Sequence, residues 1–214
     1  MNTDFDTLSD ADLARSAQAG SMASFEQLVY RYEVRLFRFL IQGCRNEEDA
    51  ADLTQEILVT AYVKLARYNP EQSFATWIFT IGRRKLIDHF RSRRPVEAEA
   101  SPECVDDETP AVLLSRREEQ EGLWRLARSV LTDIQFQAVW LKYAEEMNVA
   151  QIALVLHRTQ THVKVILFRA RVALATEVSS RQVAESLAAG NFPDRDESRA
   201  DRTPPPMALL AWTL

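Results

Sequence analysis

The stretch RTQTHVKVILFRARVALA, residues 158–175, decides the fold, because it joins a helix start to an apolar helical repeat and several basic side chains. Thr159 stands where an N-cap is expected. The apolar residues of one helix face follow at helical spacing: Val163, Ile166, Leu167 and Ala170. The stretch therefore predicts a helix with one face in a core and the other open.

The residues just before this stretch predict a shorter helix and a turn. NVAQ from Asn148 fits the capping-box pattern, and HRT forms the turn. The small Ala153, followed ten positions later by the apolar Val163, has the spacing of a helix-turn-helix. His157 replaces the usual turn glycine and tolerates left-handed backbone better than a branched residue does. An ordinary helical hairpin fits the same pattern, so both interpretations stay open on this evidence.

The helix-turn-helix interpretation assigns DNA contacts to particular side chains. The candidates for base edges at the start of the second helix are Thr159, Gln160, Thr161, His162, Lys164 and Val165. The candidates for phosphates are Arg158, Arg169 and Arg171. Val165 cannot hydrogen-bond a base edge but can contact a thymine methyl, whereas Phe168 lies further round the helix. Specificity should then depend on the polar candidates and on DNA shape.

The rest of the chain predicts an all-α protein with two small helical domains joined by a flexible acidic linker. It is 46% hydrophobic with only 5 glycines, and apolar residues recur at helical rather than alternating spacing. Further helix starts are predicted at Ser9, Ser24, Asn46, Ser73 and Thr132. The predicted segments are a first domain at 1–95, a linker at 96–111, a helix-turn-helix domain at 112–178 and a largely disordered extension at 179–214.

The first domain contains an acidic stripe and a basic cluster. DLTQE places Asp52, Gln55 and Glu56 on one helix face, which indicates either a solvated face or a docking surface for a basic partner. The basic cluster consists of Arg83, Arg84, Lys85, Arg91, Arg93 and Arg94. Asp88 can pair with Arg84 and Arg91 across helical turns. The cluster can therefore be interpreted either as a surface salt-bridge network or as a nucleic-acid site.

Several classes of protein are disfavoured by the sequence. The polar N-terminus does not resemble a signal peptide, and no apolar run is long enough for a membrane span, so we expect a cytoplasmic protein. The two cysteines, Cys44 and Cys104, have no metal-site spacing. No glycine-rich phosphate loop occurs, and the histidines lack the spacing of a metal or catalytic site. We therefore expect no enzymatic activity, no catalytic residue, no bound metal and no cofactor.

Taken together, the two blocks resemble the extracytoplasmic-function (ECF) sigma factors of bacterial RNA polymerase. The first block resembles their region 2 over about residues 9–94, through FEQLVYRYEVRLFRFL, NEEDAADLTQEILVTAYVKL and SFATWIFTIGRRKLIDHFRSRR. The second resembles their region 4, winged-helix-like in type, over about residues 123–175, through LTDIQFQAVWLKYAEEMNVAQIALVL and VKVILFRARVAL. This resemblance covers about two thirds of the chain.

The resemblance implies a role for each block. Core polymerase would be bound by Asp49, Asp52, Gln55 and Glu56. The promoter −10 element would be bound and melted by Tyr68, Asn69, Arg83, Arg84, Lys85, His89, Arg91, Arg93 and Arg94. The helix from Thr159 would enter the major groove at the −35 element, and the acidic linker would occupy the basic RNA channel. Implied partners are core polymerase, promoter DNA and an anti-sigma factor.

Two other functions stay open at this level, a stand-alone helix-turn-helix regulator and a protein-interaction module derived from a sigma factor. The acidic stripe favours the sigma factor, because a simple repressor needs no second helical domain with a docking face. Arg84 stands where the family often has Asn, and Val165-Ile166 where it often has Ser-Arg. The apolar end MALLAWTL, residues 207–214, is interpreted either as a frayed terminus or as a segment that folds back on a domain.

Overall fold

The computed structural model describes residues 5–92 and 114–188, with side chains placed at 5, 7–92 and 122–181. Within these ranges the chain forms α-helices and short 3₁₀ turns and no strand. The α-helices are α1 (Asp10–Gln18), α2 (Met22–Cys44), α3 (Glu47–Lys64), α4 (Phe74–Ser92), α5 (Leu114–Val130), α6 (Asp133–Tyr143), α7 (Val149–Leu156) and α8 (Gln160–Ala188). The predicted all-α class is therefore confirmed over the described residues.

Local capping fixes where most of these helices begin. Ser9, Asn46 and Asn148 each accept a hydrogen bond from the backbone N–H three residues on, and the Gln151 amide oxygen completes the box at Asn148. At Thr132 the Gln135 amide oxygen accepts from the backbone N–H. Such caps satisfy N–H groups that the first helical turn leaves unpaired.

The predicted start of α2 at Ser24 is wrong. The helix begins at Met22, and its N-cap is Ser21, whose hydroxyl accepts from the Ser24 amide. Ser24 lies inside the first turn and donates to the Ser16 hydroxyl at 2.9 Å. Gly20, with φ +102°, supplies the left-handed turn that brings the chain from α1 to Ser21.

Helices α1 to α4 pack around a core of aromatic and aliphatic side chains. The amphipathic face of α2 supplies Tyr32, Leu36 and Phe39, each no more than 2% exposed. Tyr32 meets Phe74 edge to face at 5.1 Å between ring centroids, and Phe39 meets Phe79 at 5.4 Å. These contacts fix α4 against α2, which orients the basic end of α4.

Helices α5 to α8 form the second helical block. Trp124, Phe136 and Trp140 join α5 to α6, with the two indole rings 4.7 Å apart. His157 ends α7 in the left-handed conformation at φ 48°, ψ 51°, and its position at the turn agrees with the sequence-based interpretation. Helices α7 and α8 therefore have the local geometry of a helix-turn-helix.

The described residues up to 177 form one compact unit, and residues 178–188 belong to a second. Helix α8 continues to Ala188, ten residues into the extension that the sequence predicts to be largely disordered. The segment SSRQVAESLA contains Arg, Gln, Ala, Glu and Leu, whose side chains lose little freedom in a helix. The acidic linker and residues 189–214 lie outside the described residues. No helix among the described residues has the length and hydropathy of a membrane span.

Candidate functional site

The acidic stripe of α3 lines an open surface groove of about 520 Å³. The groove is lined by Asp49, Asp52, Leu53, Gln55, Glu56, Val59 and His89. All four residues predicted to bind a protein partner therefore line one concave surface. Val59, which the sequence reasoning did not select, is 64% exposed and adds an apolar contact. Such a surface suits a partner with basic and apolar side chains.

Two side chains that the resemblance assigns to the −10 element lie next to carboxylates of this groove. The Lys85 ammonium group of α4 pairs with the Glu56 carboxylate. His89 Nε2 lies 3.6 Å from Asp49 Oδ2, which is too far for a hydrogen bond. That nitrogen is buried and has no hydrogen-bond partner among the described residues. Helical spacing placed Lys85 and His89 on one face of α4, but it could not show that this face packs against α3.

Tyr68, which the resemblance assigns to the −10 element, is a core residue in this structure. It is 3% exposed and lies against Phe74 and Trp77, with ring centroids 5.4 and 4.9 Å away. Its hydroxyl donates to the Gln72 carbonyl oxygen. Burial raises the pKa of Tyr68 to about 12. Its large aromatic ring favours packing in the core.

The remaining residues assigned to the −10 element differ in exposure. Asn69, Arg84 and Arg91 are exposed, whereas Arg93 and Arg94 lie outside the described residues. Arg83 is partly buried, and its Nε donates to the Gln137 amide oxygen at 3.1 Å. The predicted pairing of Asp88 with Arg84 and Arg91 is not formed between these described side chains. All three are exposed to solvent, which weakens such ion pairs.

The first turns of α8 present a polar surface to solvent. The residues assigned to the −35 element are all exposed: Arg158, Thr159, Gln160, Thr161, His162, Lys164, Val165, Arg169 and Arg171. The Thr159 hydroxyl also accepts from the His162 amide at 3.2 Å and caps the helix. Val163 and Ile166 are buried, while Val165 is 40% exposed beside Lys164. The apolar middle of residues 158–175 therefore divides into a face that packs in the core and a face that is open to solvent.

Comparison with protein families finds matches in both helical blocks. The Sigma-70 region 2 family matches residues 24–96, and the Sigma-70, region 4 family matches residues 125–174. The chain is also similar to the ECF RNA polymerase sigma factor BldN of Streptomyces coelicolor. The two are 27% identical over 180 residues, which cover 80% of this chain and 67% of BldN.

Two solved structures are similar to the chain in fold. The structure of CnrH in complex with the cytosolic domain of CnrY has a TM-score of 0.60 and 25% identity, covering 80% of this chain and 97% of CnrH. The sigma factor RpoE of Bartonella quintana, in complex with the anti-sigma factor NepR, has a TM-score of 0.57 and 21% identity. That likeness covers 72% of this chain and 96% of RpoE.

Proposed function

Since the chain belongs to the extracytoplasmic-function sigma factors of the sigma-70 family, which direct promoter-specific transcription initiation, we propose how its surfaces divide that work. The groove of α3 docks on core RNA polymerase through Asp49, Asp52, Gln55 and Glu56. The exposed end of α4 contacts the −10 element. The start of α8 reads the −35 element from the major groove.

The observation that carries this division is the separation of two chemically different surfaces. The groove has three carboxylates around Leu53 and Val59, and this negative charge disfavours DNA while favouring a basic protein surface. The start of α8 instead exposes amide, hydroxyl, imidazole and ammonium groups, which can hydrogen-bond base edges. Arg158, Arg169 and Arg171 flank them and supply affinity for phosphates.

The domain division predicted from the sequence is part of this proposal. Residues 1–95 act as region 2, residues 112–178 as region 4, and the acidic residues 96–111 as the linker between them. The protein works in the cytoplasm, where polymerase and promoter are found, and it selects the start site while the polymerase performs the chemistry. An anti-sigma factor is a further proposed partner, supported by the NepR complex of the similar RpoE fold.

A paired substitution tests the docking surface. Asp52→Ala with Glu56→Ala removes two carboxylates from the groove and should weaken binding to purified core polymerase by at least tenfold, because the loss of interface charge pairs commonly costs more than 1.4 kcal/mol. Binding of the free chain to −35 duplex DNA should stay unchanged. The measurements are fluorescence anisotropy with core polymerase and with a DNA duplex.

Glu26→Ala with Glu33→Ala is the matched control, because it removes the same charge from exposed positions on α2 outside the groove. This control should bind core polymerase normally. Equal weakening of core-polymerase binding by the two double substitutions would mean that binding depends only on the net charge of the chain. Parallel loss of core and duplex binding by the groove variant would mean that the stripe is structural.

A further inference from the structure

The loop that joins α3 to α4, residues 65–73, is held by a side chain of α1. The Gln18 Nε2 group donates to the Leu65 carbonyl oxygen at 2.8 Å and to the Tyr68 carbonyl oxygen at 2.7 Å. A side-chain amide has two N–H donors, so both are used in this contact. The acceptors lie 47 and 50 residues away from Gln18 along the chain. A single side chain therefore ties α1 to the far end of α3.

Helix α1 is itself fixed to the core helix α2. The Asp10 carboxylate accepts from Arg31 Nη1 at 2.6 Å and also from the Tyr32 hydroxyl. Arg31 Nη2 donates to the Leu8 carbonyl oxygen at 2.9 Å. The Tyr32 residue is only 1% exposed, so this anchor reaches into the core. Gln18 thus holds the loop from a helix that has a fixed position on the first helical block.

The loop closes on itself through short hydrogen bonds. The Asn69 carbonyl oxygen accepts from the Gln72 amide at 3.0 Å, and Asn69 Oδ1 accepts from the Glu71 amide at 3.0 Å. The Tyr68 hydroxyl donates to the Gln72 carbonyl oxygen, and its ring is buried. The loop therefore has an inner side fixed by Tyr68 and an outer side where Asn69 is exposed.

These bonds determine what Asn69 can offer to DNA. Its Oδ1 atom is engaged, and in the part of the chain that the structure describes its Nδ2 group keeps both protons for an acceptor outside the chain. Oxygens and ring nitrogens on the edge of an unpaired base are such acceptors. The Tyr68 carbonyl belongs to the planar peptide group that leads into Asn69. By holding that carbonyl, Gln18 fixes the direction in which the Asn69 side chain leaves the loop.

We propose that Gln18 is a positioning residue, which fixes the peptide group before Asn69 and so directs the Asn69 amino group at a base acceptor on the separated −10 strand. The proposal rests on the proposed sigma-factor function and on the assignment of Asn69 to the −10 element. Gln18 precedes residues 24–96, which match the Sigma-70 region 2 family. It acts through the loop and makes no DNA contact of its own.

Binding of single-stranded DNA by the holoenzyme tests this role. The probe is a dye-labelled oligonucleotide with the −10 sequence of a mapped promoter, from the strand that the unsubstituted holoenzyme binds more tightly. Gln18→Met keeps an unbranched neutral side chain and removes both donors, so it should weaken strand binding by about tenfold. Binding of core polymerase and of a −35 duplex should stay within about twofold of the unsubstituted chain. Normal strand binding by Gln18→Met would overturn the proposal.

Gln135→Met is the matched control for a lost side-chain amide. The Gln135 amide oxygen accepts from the backbone N–H and the hydroxyl of Thr132, both at 3.0 Å, in the second helical block. This variant loses comparable hydrogen bonds away from the loop and should bind the −10 strand normally. Equal weakening by Gln18→Met and Gln135→Met would mean that the effect is one of stability, and it would overturn the positioning role.

A double-substitution cycle shows whether Gln18 acts through Asn69. Asn69→Ala should weaken strand binding and lower the ratio of affinities for the −10 strand and for a strand with the −10 sequence scrambled. Gln18→Met should lower the same ratio. Gln18→Met with Asn69→Ala should lose no more than about twofold beyond Asn69→Ala alone, because the two side chains serve one contact. Additive losses, or an unchanged ratio in Gln18→Met, would contradict the proposal.

Amide hydrogen exchange in the free chain tests the hold on the loop without DNA. The amides of Tyr68, Glu71 and Gln72 donate to acceptors in this loop. Gln18→Met should speed their exchange by about fivefold or more, while the amide of the buried Phe79 in α4 should be unaffected. Unchanged loop exchange would overturn the role of Gln18. Failure of the unsubstituted holoenzyme to bind either −10 strand would instead overturn the sigma-factor assignment, and the exchange rates would still decide whether Gln18 holds the loop.

Discussion

Helices α4 and α8 both carry cations that the sequence assigns to DNA, yet the structure surrounds the two sets differently. On α4, Lys85 pairs with Glu56 and Arg83 is held by Gln137. On α8, the assigned residues from Gln160 to Arg171 are exposed apart from the apolar face. This difference indicates that basic residues clustered in the sequence do not necessarily form a basic surface exposed to solvent.

The largest expected effect concerns the apolar sides of the same two helices. Phe79 of α4 is fully buried, whereas Phe168 of α8 is 61% exposed. Phe79→Ala should lower the free energy of unfolding by about 3–5 kcal/mol, because it leaves a cavity in the core. Phe168→Ala should change it by less than about 0.5 kcal/mol. Urea titration followed by circular dichroism measures both, and equal losses would contradict the assignment of the two faces.

The next effect concerns the exposed polar groups. Gln160→Ala should weaken binding of the free chain to its −35 duplex by about 1–3 kcal/mol, since a bidentate amide-to-base contact contributes that much discrimination. Arg83→Ala should leave the same affinity unchanged, because its guanidinium Nε is already hydrogen-bonded to the Gln137 amide oxygen. The promoter is first mapped as the DNA that the holoenzyme protects. Anisotropy titration with a duplex of its −35 element then gives both affinities. Normal binding by Gln160→Ala would remove this residue from the recognition surface.

The smallest expected effect lies at the turn that joins α7 to α8. His157 adopts a left-handed conformation that glycine takes without steric cost. His157→Gly should therefore raise the free energy of unfolding by about 0.5–1 kcal/mol. Ala144→Gly is the control, because φ there is −88° and glycine brings no relief. Destabilisation by His157→Gly would show that the imidazole makes a stabilising contact there.

The features that could be predicted from the sequence depend on residues close together along the chain. The caps at Asn46 and Asn148 follow from short side-chain patterns, and the packed and open faces of α8 follow from helical periodicity. The same local rules failed to distinguish Ser21 from Ser24 as the start of α2, because both are good capping residues.

Features that depend on which helices meet could not be predicted in this way. The pairing of Arg35 with Glu145 joins positions 110 residues apart, and nothing in either local sequence identifies the other. The burial of Tyr68 depends on Phe74 and Trp77 folding back over the loop. The contact of Lys85 with Glu56 likewise follows from the packing of α4 against α3.

Reconstitution of transcription with purified core polymerase tests the central claim most directly. The full chain is added to core enzyme that lacks any other sigma factor, on a template carrying a promoter mapped with the holoenzyme. A run-off transcript of one defined length should appear, and it should disappear when the −35 or −10 sequence is scrambled. Tight binding to core polymerase without any promoter-dependent transcript would contradict the assignment of the two helical blocks to promoter recognition.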